Sequence, residues 1–433
     1  MLKKLIMAAM SLAFVSAGAM AEVKADFEKS GLSVKDIAGS PAVSSIEVPA
    51  AVPAPAKAAV AKDAKDGIEG APKEWTIMVF INGKNNLEQF GMLNFNQMKN
   101  VAANDKVNIV VEMGRIKGYD TSNGDWTGCR RFLVQKDTDL GSASAALQVI
   151  DRCDMGDYNH AVEFGQWAMS KFPAKHYMYV LWNHGAGWVK SRDGDGLFKG
   201  ISYDDETNHH INTPQLGQLM GALGHVDVYG SDACLMQMAE VVWQIKDRTD
   251  YIVGSEETEG GDGWTYDAWL NKFLKSGDLS AASLATTLVD TYVEHYSSKA
   301  TLSYVDTAAL PKFVTLLNDF ASAIMKENNR TAVKDALRKT QKYTYSDNKD
   351  LYHFALNIAA ASSNKAVKDS AAALMGHMKG TLIPDNKVTS DYSDSYGLAV
   401  YIPEYSFKSN YNDIAFAKDS KWPAFIQWVL AKE

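Results

Sequence analysis

Several short, largely apolar runs constrain this chain more than any other feature. The first is Trp75-Thr76-Ile77-Met78-Val79-Phe80-Ile81, and similar runs recur at residues 107–113, 131–134, 177–182, 226–229 and 251–253. A run with little polar alternation is the mark of a strand buried on both faces. Helical patterns lie between several of them. Asp157 is placed to cap a helix whose apolar stripe is Ala161, Phe164, Ala168 and Phe172. Thr213-Pro214 opens another, with proline in the first turn and an end near Gly224. Strands alternating with helices predict an α/β fold with a mostly parallel sheet covered on both faces.

The flanks differ from this core. Lys3 and Lys4 precede an apolar stretch over residues 5–15, and Ala19-Met20-Ala21 fits a signal-cleavage pattern. Residues 1–21 are therefore expected to be a signal peptide, directing export to a secreted or periplasmic location. The stretch is short for a membrane span, and no second long apolar run follows. Residues 22–73, rich in Ala, Pro, Val and Lys, bury too little apolar surface to offset their ordering cost and read as a tether or pro-segment. The core domain is expected over 74–270. Past residue 270 helical patterns dominate, at 281–296, 308–325 and 332–343, with strands at 301–305 and 397–402. They form a C-terminal subdomain or an extension of the core. The net charge of -8 gives no support to nucleic-acid binding.

Two of the strands end on reactive side chains. The run Tyr177-Met178-Tyr179-Val180-Leu181-Trp182 leads into Asn183-His184-Gly185, and Val226-Asp227-Val228-Tyr229-Gly230-Ser231 leads into Asp232-Ala233-Cys234-Leu235-Met236. Chemistry in parallel α/β sheets collects at the carboxyl ends of strands. An imidazole and a thiol there suggest a histidine base and a cysteine nucleophile. Leu235, Met238, Val242 and Ile245 share one helical face, which would put Cys234 at a helix N-terminus, where a thiolate is favoured over the ordinary thiol value of about 8.5. Gly185 is a candidate oxyanion donor. If the strand extends through residue 234, Asp232 and Cys234 point to one side. A carboxylate beside a thiol makes sense where it faces a cationic substrate group. Three cysteines leave at least one unpaired in an exported chain; Cys129 and Cys153 are either bridged or simply buried, and no neighbouring ligand cluster suggests structural zinc.

These motifs resemble the clostripain family of cysteine peptidases, relatives of caspases, legumain and gingipains. The likeness rests on Asn-His-Gly and Asp-Ala-Cys-Leu-Met. Flanking blocks add to it: Asn82-Gly83, Asn85-Asn86-Leu87-Glu88, Met155-Gly156-Asp157, Ser255-Glu256-Glu257-Thr258-Glu259, Gly263-Trp264, Asp350-Leu351-Tyr352 and Tyr396-Gly397 through Pro403. The resemblance implies a caspase-like αβα sandwich, a His184–Cys234 dyad with Gly185 as oxyanion donor, and cleavage after Arg or Lys with Asp232 as the specificity acid. A second pocket acid is implied after Tyr251, with Asp262 the first choice and Glu259 the reserve. Family members are often nicked between the dyad residues, so the polar loop with Lys190, Arg192 and Lys199 offers Lys199 as an autocleavage candidate. No cofactor is required by this reading. Asp193-Gly194-Asp195-Gly196 with Asp204-Asp205-Glu206 is oxygen-rich enough for Ca²⁺ but lacks the full loop spacing. Two alternatives stay open at this stage: a catalytically silent binding protein of the same fold, and a metal-dependent hydrolase, the weaker because no H-E-x-x-H spacing occurs.

Overall fold

The computed structural model describes residues 72–101, 104–137, 145–188 and 200–431. Its strands in chain order are β1 (Lys73–Gly83), β2 (Val107–Arg115), β3 (Gly128–Leu133), β4 (Gln148–Ile150), β5 (Ala174–Trp182), β6 (Gly200–Asp204), β7 (His209–Asn212), β8 (Val226–Asp232), β9 (Thr249–Gly254), β10 (Thr301–Asp306), β11 (Asn348–Asp350), β12 (Asp385–Val388) and β13 (Ala399–Tyr401). The helices begin with α1 (Glu88–Lys99), α2 (Tyr158–Lys171), α3 (Thr213–Leu223), α4 (Ala239–Ile245), α5 (Tyr266–Ser276) and α6 (Ala281–His295). They continue with α7 (Leu310–Glu327), α8 (Arg330–Lys339), α9 (Leu351–Ala361), α10 (Lys365–Met378), α11 (Ala415–Asp419) and α12 (Trp422–Leu430).

One nine-stranded sheet runs in the order β12-β10-β9-β8-β5-β1-β2-β3-β4. Its middle five strands, β9-β8-β5-β1-β2, are parallel, and the strands at both edges pair antiparallel. The apolar runs account for this centre. Residues 75–83 of β1 and the whole of β2 are buried, as a strand covered on both faces requires. From β1 the chain steps outward to β2, then returns to the other side of β1 for β5, β8 and β9. The strand order therefore reverses between β1 and β5, and the crevice beyond their carboxyl ends is where such a sheet accommodates chemistry. Strands β10 and β12, from beyond residue 270, belong to the same sheet.

Local signals behave as the sequence suggests. Asp157 caps α2 by accepting from the Asn159 N–H, and Ala161, Phe164, Ala168 and Phe172 are buried. At α3 the cap is Asn212, in a reciprocal capping box with Gln215, and Gly224 ends the helix at φ +99°. Two expectations are corrected. The third C-terminal helix, expected to run to residue 343, stops at Lys339, because the chain turns there to bring Tyr343 against Asn348. Cys234 is not at a helix N-terminus: β8 ends at Asp232, residues 233–235 turn, and α4 begins only at Ala239. Leu235 adopts φ +64°, a left-handed conformation that breaks any continuous helix from 234 onward. Residues 1–71 of the segments assigned to signal and tether, and the loop with Lys190, Arg192, Asp193, Asp195 and Lys199, lie outside the described residues; Lys73, counted with the tether, opens β1 instead.

Candidate active site

Strands β5 and β8 pair in register up to Trp182 opposite Asp232. His184 and Cys234 each stand two residues beyond that pair, on adjacent strand ends. The Asn183 N–H continues the ladder to the Asp232 carbonyl at 3.3 Å. Gly185 then runs against the Cys234 turn so closely that a Cβ on it would collide with the Cys234 carbonyl oxygen and lie 3.1 Å from the Cys234 nitrogen. Glycine is required at this contact by space, whatever else its N–H does.

His184 is held from several directions. The Asn183 side chain donates to the Asn82 carbonyl at 2.7 Å and accepts from the Tyr203 N–H at 2.7 Å. The His184 carbonyl accepts from Ser202 at 3.3 Å. Its Nε2 lies 2.8 Å from Asn86 Oδ1. An amide oxygen only accepts, so this contact puts the ring proton on Nε2 and leaves Nδ1 with its lone pair. Burial lowers the imidazole pKa to about 4, so the ring is neutral at physiological pH.

The Cys234 turn is tied to the segment after β9. Leu235 N–H donates to Glu257 O at 3.0 Å, Gln237 N–H to Ser255 O at 2.9 Å, and Glu259 N–H to Cys234 Sγ at 3.3 Å. His184 is 6% exposed and Cys234 9%, so in this state both reactive groups are covered. Burial pushes the thiol up to about 12; the Glu259 N–H works against this, and the nearby Glu259 and Glu257 carboxyls add to it. The lowered thiol pKa expected from a helix N-terminus is therefore overturned, because no helix begins there. The expected strand continuation to 234 fails as well, so Asp232 and Cys234 are not related by strand alternation.

The implied pocket acids lie on the segments beside the Cys234 turn. Asp232 accepts from Tyr266 OH at 2.9 Å, and Glu259 from Trp264 Nε1 at 3.0 Å. Both are buried, and burial raises both carboxyls, Asp232 to about 7. Asp262 is more open: its side chain meets His295 Nε2 at 3.3 Å and its carbonyl accepts from Asn94 at 2.7 Å. Of the two expected partners for Asp232, Glu259 is the one in direct contact with it.

Cys129 and Cys153 form a disulfide, which leaves Cys234 as the free thiol. His160 comes within 4.8 Å of both sulfurs, a proximity the sequence spacing did not suggest, but the disulfide engages both sulfurs and His160 itself pairs with Glu112. Of the oxygen-rich segments considered for Ca²⁺, Asp204-Asp205-Glu206 is described: Asp204 accepts from the Met155, Glu206 and Thr207 N–H groups and faces Lys84 Nζ at 3.4 Å, with Glu206 on the same ammonium. Asn86 is the site residue that sequence reasoning missed. It sits in a polar stretch that begins at the end of β1, Asn82 to Asn86, and that clustering of amides was the available signal.

A model of the clostripain family matches residues 79–428. Clostripain of Hathewaya histolytica is 24% identical over 224 residues, 47% of this chain, and the match spans less than half, 42%, of that relative's length. Among solved structures, a secreted C11 cysteine protease from Bacteroides thetaiotaomicron bound to an irreversible peptide inhibitor superposes with a TM-score of 0.60 at 20% identity, covering 81% of this chain and 99% of the other. An inactive zymogen C11 protease from Parabacteroides distasonis gives 0.56 at 16% identity, covering 81% and 99%. These likenesses bear on the fold, the caspase-like αβα sandwich. With the family model spanning most of the sheet and both strand ends, the chain belongs to the clostripain family of cysteine proteases.

Proposed function

We propose that this chain is an exported endopeptidase that cleaves after Arg or Lys. The observation that carries the reading is the matched position of His184 and Cys234, each two residues past the Trp182–Asp232 pair at the carboxyl ends of β5 and β8, next to the sheet's switch point. His184 Nδ1 takes the thiol proton as the Cys234 sulfur bonds to the scissile carbonyl carbon. The negative oxygen is met by backbone N–H groups of Gly185 and Cys234. The C–N bond then breaks, and His184 returns the proton to the leaving amine. Water attacks the thioester, again giving a proton to His184, and the carboxylic acid leaves as the thiol reforms. Asp232, with Glu259 or Asp262, receives the basic P1 side chain.

The covered, uncharged dyad supports a latent resting state, and cleavage at Lys199 is the proposed activation step. The zymogen described for the Parabacteroides distasonis relative is in keeping with it. Export is supported by the N-terminal pattern of the sequence and by the secreted relative. Among the described residues no helix is long and apolar enough to cross a membrane.

The test uses fluorogenic peptides with Arg, Lys or a neutral residue at P1. Cys234→Ala abolishes cleavage; full activity in that variant refutes the nucleophile. Asp232→Ala loses Arg and Lys cleavage while its circular dichroism is unchanged; an unaltered preference moves the pocket elsewhere. Intact mass of wild type beside Cys234→Ala reads out self-processing, and an active, uncut wild type refutes the activation step.

A further inference from the structure

Two buried acids in one small space, with no ion pair to a basic side chain among the described residues, are an unusual arrangement for a folded chain. Asp232 is 3% exposed and Glu259 6%. Among the described residues no lysine or arginine pairs with either carboxyl, and none stands among the main influences on them. Asp232 Oδ2 accepts from Tyr266 OH, and Glu259 Oε2 from Trp264 Nε1. Glu259 Oε1 is buried, and no N–H or ordinary hydroxyl of the described residues reaches it. Its neighbour is the Asp232 carboxyl, and the two side chains hydrogen-bond. Two carboxyl oxygens bond only when one of them carries a proton. Like charges this close, out of water, do not both persist. One proton held on Glu259 and donated to Asp232 accounts for both the orphaned oxygen and the missing cation.

We propose that Asp232 and Glu259 share a single proton in the resting pocket, and that binding of a P1 guanidinium or ammonium expels it. The proposal rests on the basic-P1 reading of this site. An incoming cation supplies the positive charge that the pair lacks. The second carboxyl then ionises and the proton passes to solvent, so the occupied pocket holds two carboxylates around one cation. The directions of the two shifts agree with this: burial raises both carboxyls, and the contact with Asp232 raises Glu259 while the contact with Glu259 lowers Asp232. Other titratable groups face the pair without replacing the cation: Tyr266 from α5, Tyr292 from α6, Tyr296 just after it, and the Cys234 thiol. Asp262 pairs with His295 on the open side.

The expected signature is a specificity for basic residues that strengthens as pH rises. With the active enzyme, KM for an Arg-P1 peptide falls about tenfold per pH unit as pH approaches the pair's second ionisation, while KM for a neutral-P1 peptide stays flat. Calorimetric titration with benzamidine in two buffers of contrasting ionisation enthalpy reads the proton directly, and about one proton is released per site. In Glu259→Gln the amide donates to an Asp232 that is already charged, so benzamidine binds without releasing a proton. His295→Gln serves as a control for protons contributed by the Asp262 pair. Benzamidine binding that is independent of buffer in the wild type, or proton release unchanged in Glu259→Gln, overturns the proposal while leaving basic-P1 specificity intact. Failure of any cationic probe to bind in preference to a neutral one refutes the basic-P1 reading and the proposal together. Where Glu259→Gln does not fold, the wild-type KM profile and calorimetry decide the matter.

Discussion

The covered thiol can be tested by its reaction with a small aromatic disulfide. Cys234 is the free thiol of this chain, so the reagent reports on it alone. Burial raises its pKa from 9.0 to about 12. At a pH below both values, three units lower the thiolate fraction about 1000-fold. The more basic thiolate is intrinsically more reactive, by about 20-fold over three units at a Brønsted slope near 0.45. The net result is a reaction about 50-fold slower than that of the same cysteine in the denatured chain. Shielding of the sulfur slows it further, so this factor is a lower bound. The measurement is stopped-flow absorbance at pH 7.5 on the intact, uncut chain, with the chain in denaturant as reference. The pH profile gives a second check: the native rate keeps climbing about tenfold per unit past pH 9, where the denatured chain levels off. A native rate equal to or above that of the denatured chain would show an exposed or activated thiol and refute the latent state.

Three further outcomes follow from the same geometry. Asn86→Ala loses the bond that fixes the His184 tautomer, and kcat falls about tenfold to a hundredfold, the worth of one buried hydrogen bond, with KM little changed; Asn86→Asp raises the His184 pKa and moves the acid limb of the kcat profile upward, which a merely structural residue would not do. Glu240 is buried, accepts from the Tyr401 N–H and Tyr411 OH, and is raised from 4.5 to about 7 by burial. Its favourable contribution is complete below about pH 4.5 and is lost as pH rises through about 7, so between pH 4.5 and 8 urea unfolding should favour Glu240→Gln over wild type by about 3 kcal/mol more; a constant difference would show a carboxylate already ionised in the fold. Replacing both Cys129 and Cys153 by Ser opens a loop of sequence separation 24 and lowers stability by about 3.5 kcal/mol in thermal or urea melts, with the Cys234 thiol count unchanged; an unaltered melt would mean that the bridge constrains little.

The site was legible in proportion to how local its signals are. Asn183-His184-Gly185 and Asp232-Ala233-Cys234 stand out because each interrupts an apolar run, and a strand end is a local event. The role of Asn86 was hidden, since its contact with His184 spans 98 residues of sequence. The helix expected from Leu235, Met238, Val242 and Ile245 shows the opposite error. That spacing does reach a real helix, but backbone bonds to Glu257 and Ser255 capture residues 235 and 237 and hold the first of them left-handed. Tertiary bonds outweighed local periodicity.

What the sequence determined alone was the parallel sheet and the two reactive residues at the carboxyl ends of its strands, because burial of apolar runs and the chemistry of side chains need no partner to be read. What only the tertiary structure decided was their state. Whether a thiol is a thiolate, which nitrogen of an imidazole holds its proton, and which of Asp262 and Glu259 meets Asp232 all depend on solvent exclusion and on neighbours far away in the chain. Those quantities exist only once the loops after β1, β5, β8 and β9 have been brought to the same end of the sheet.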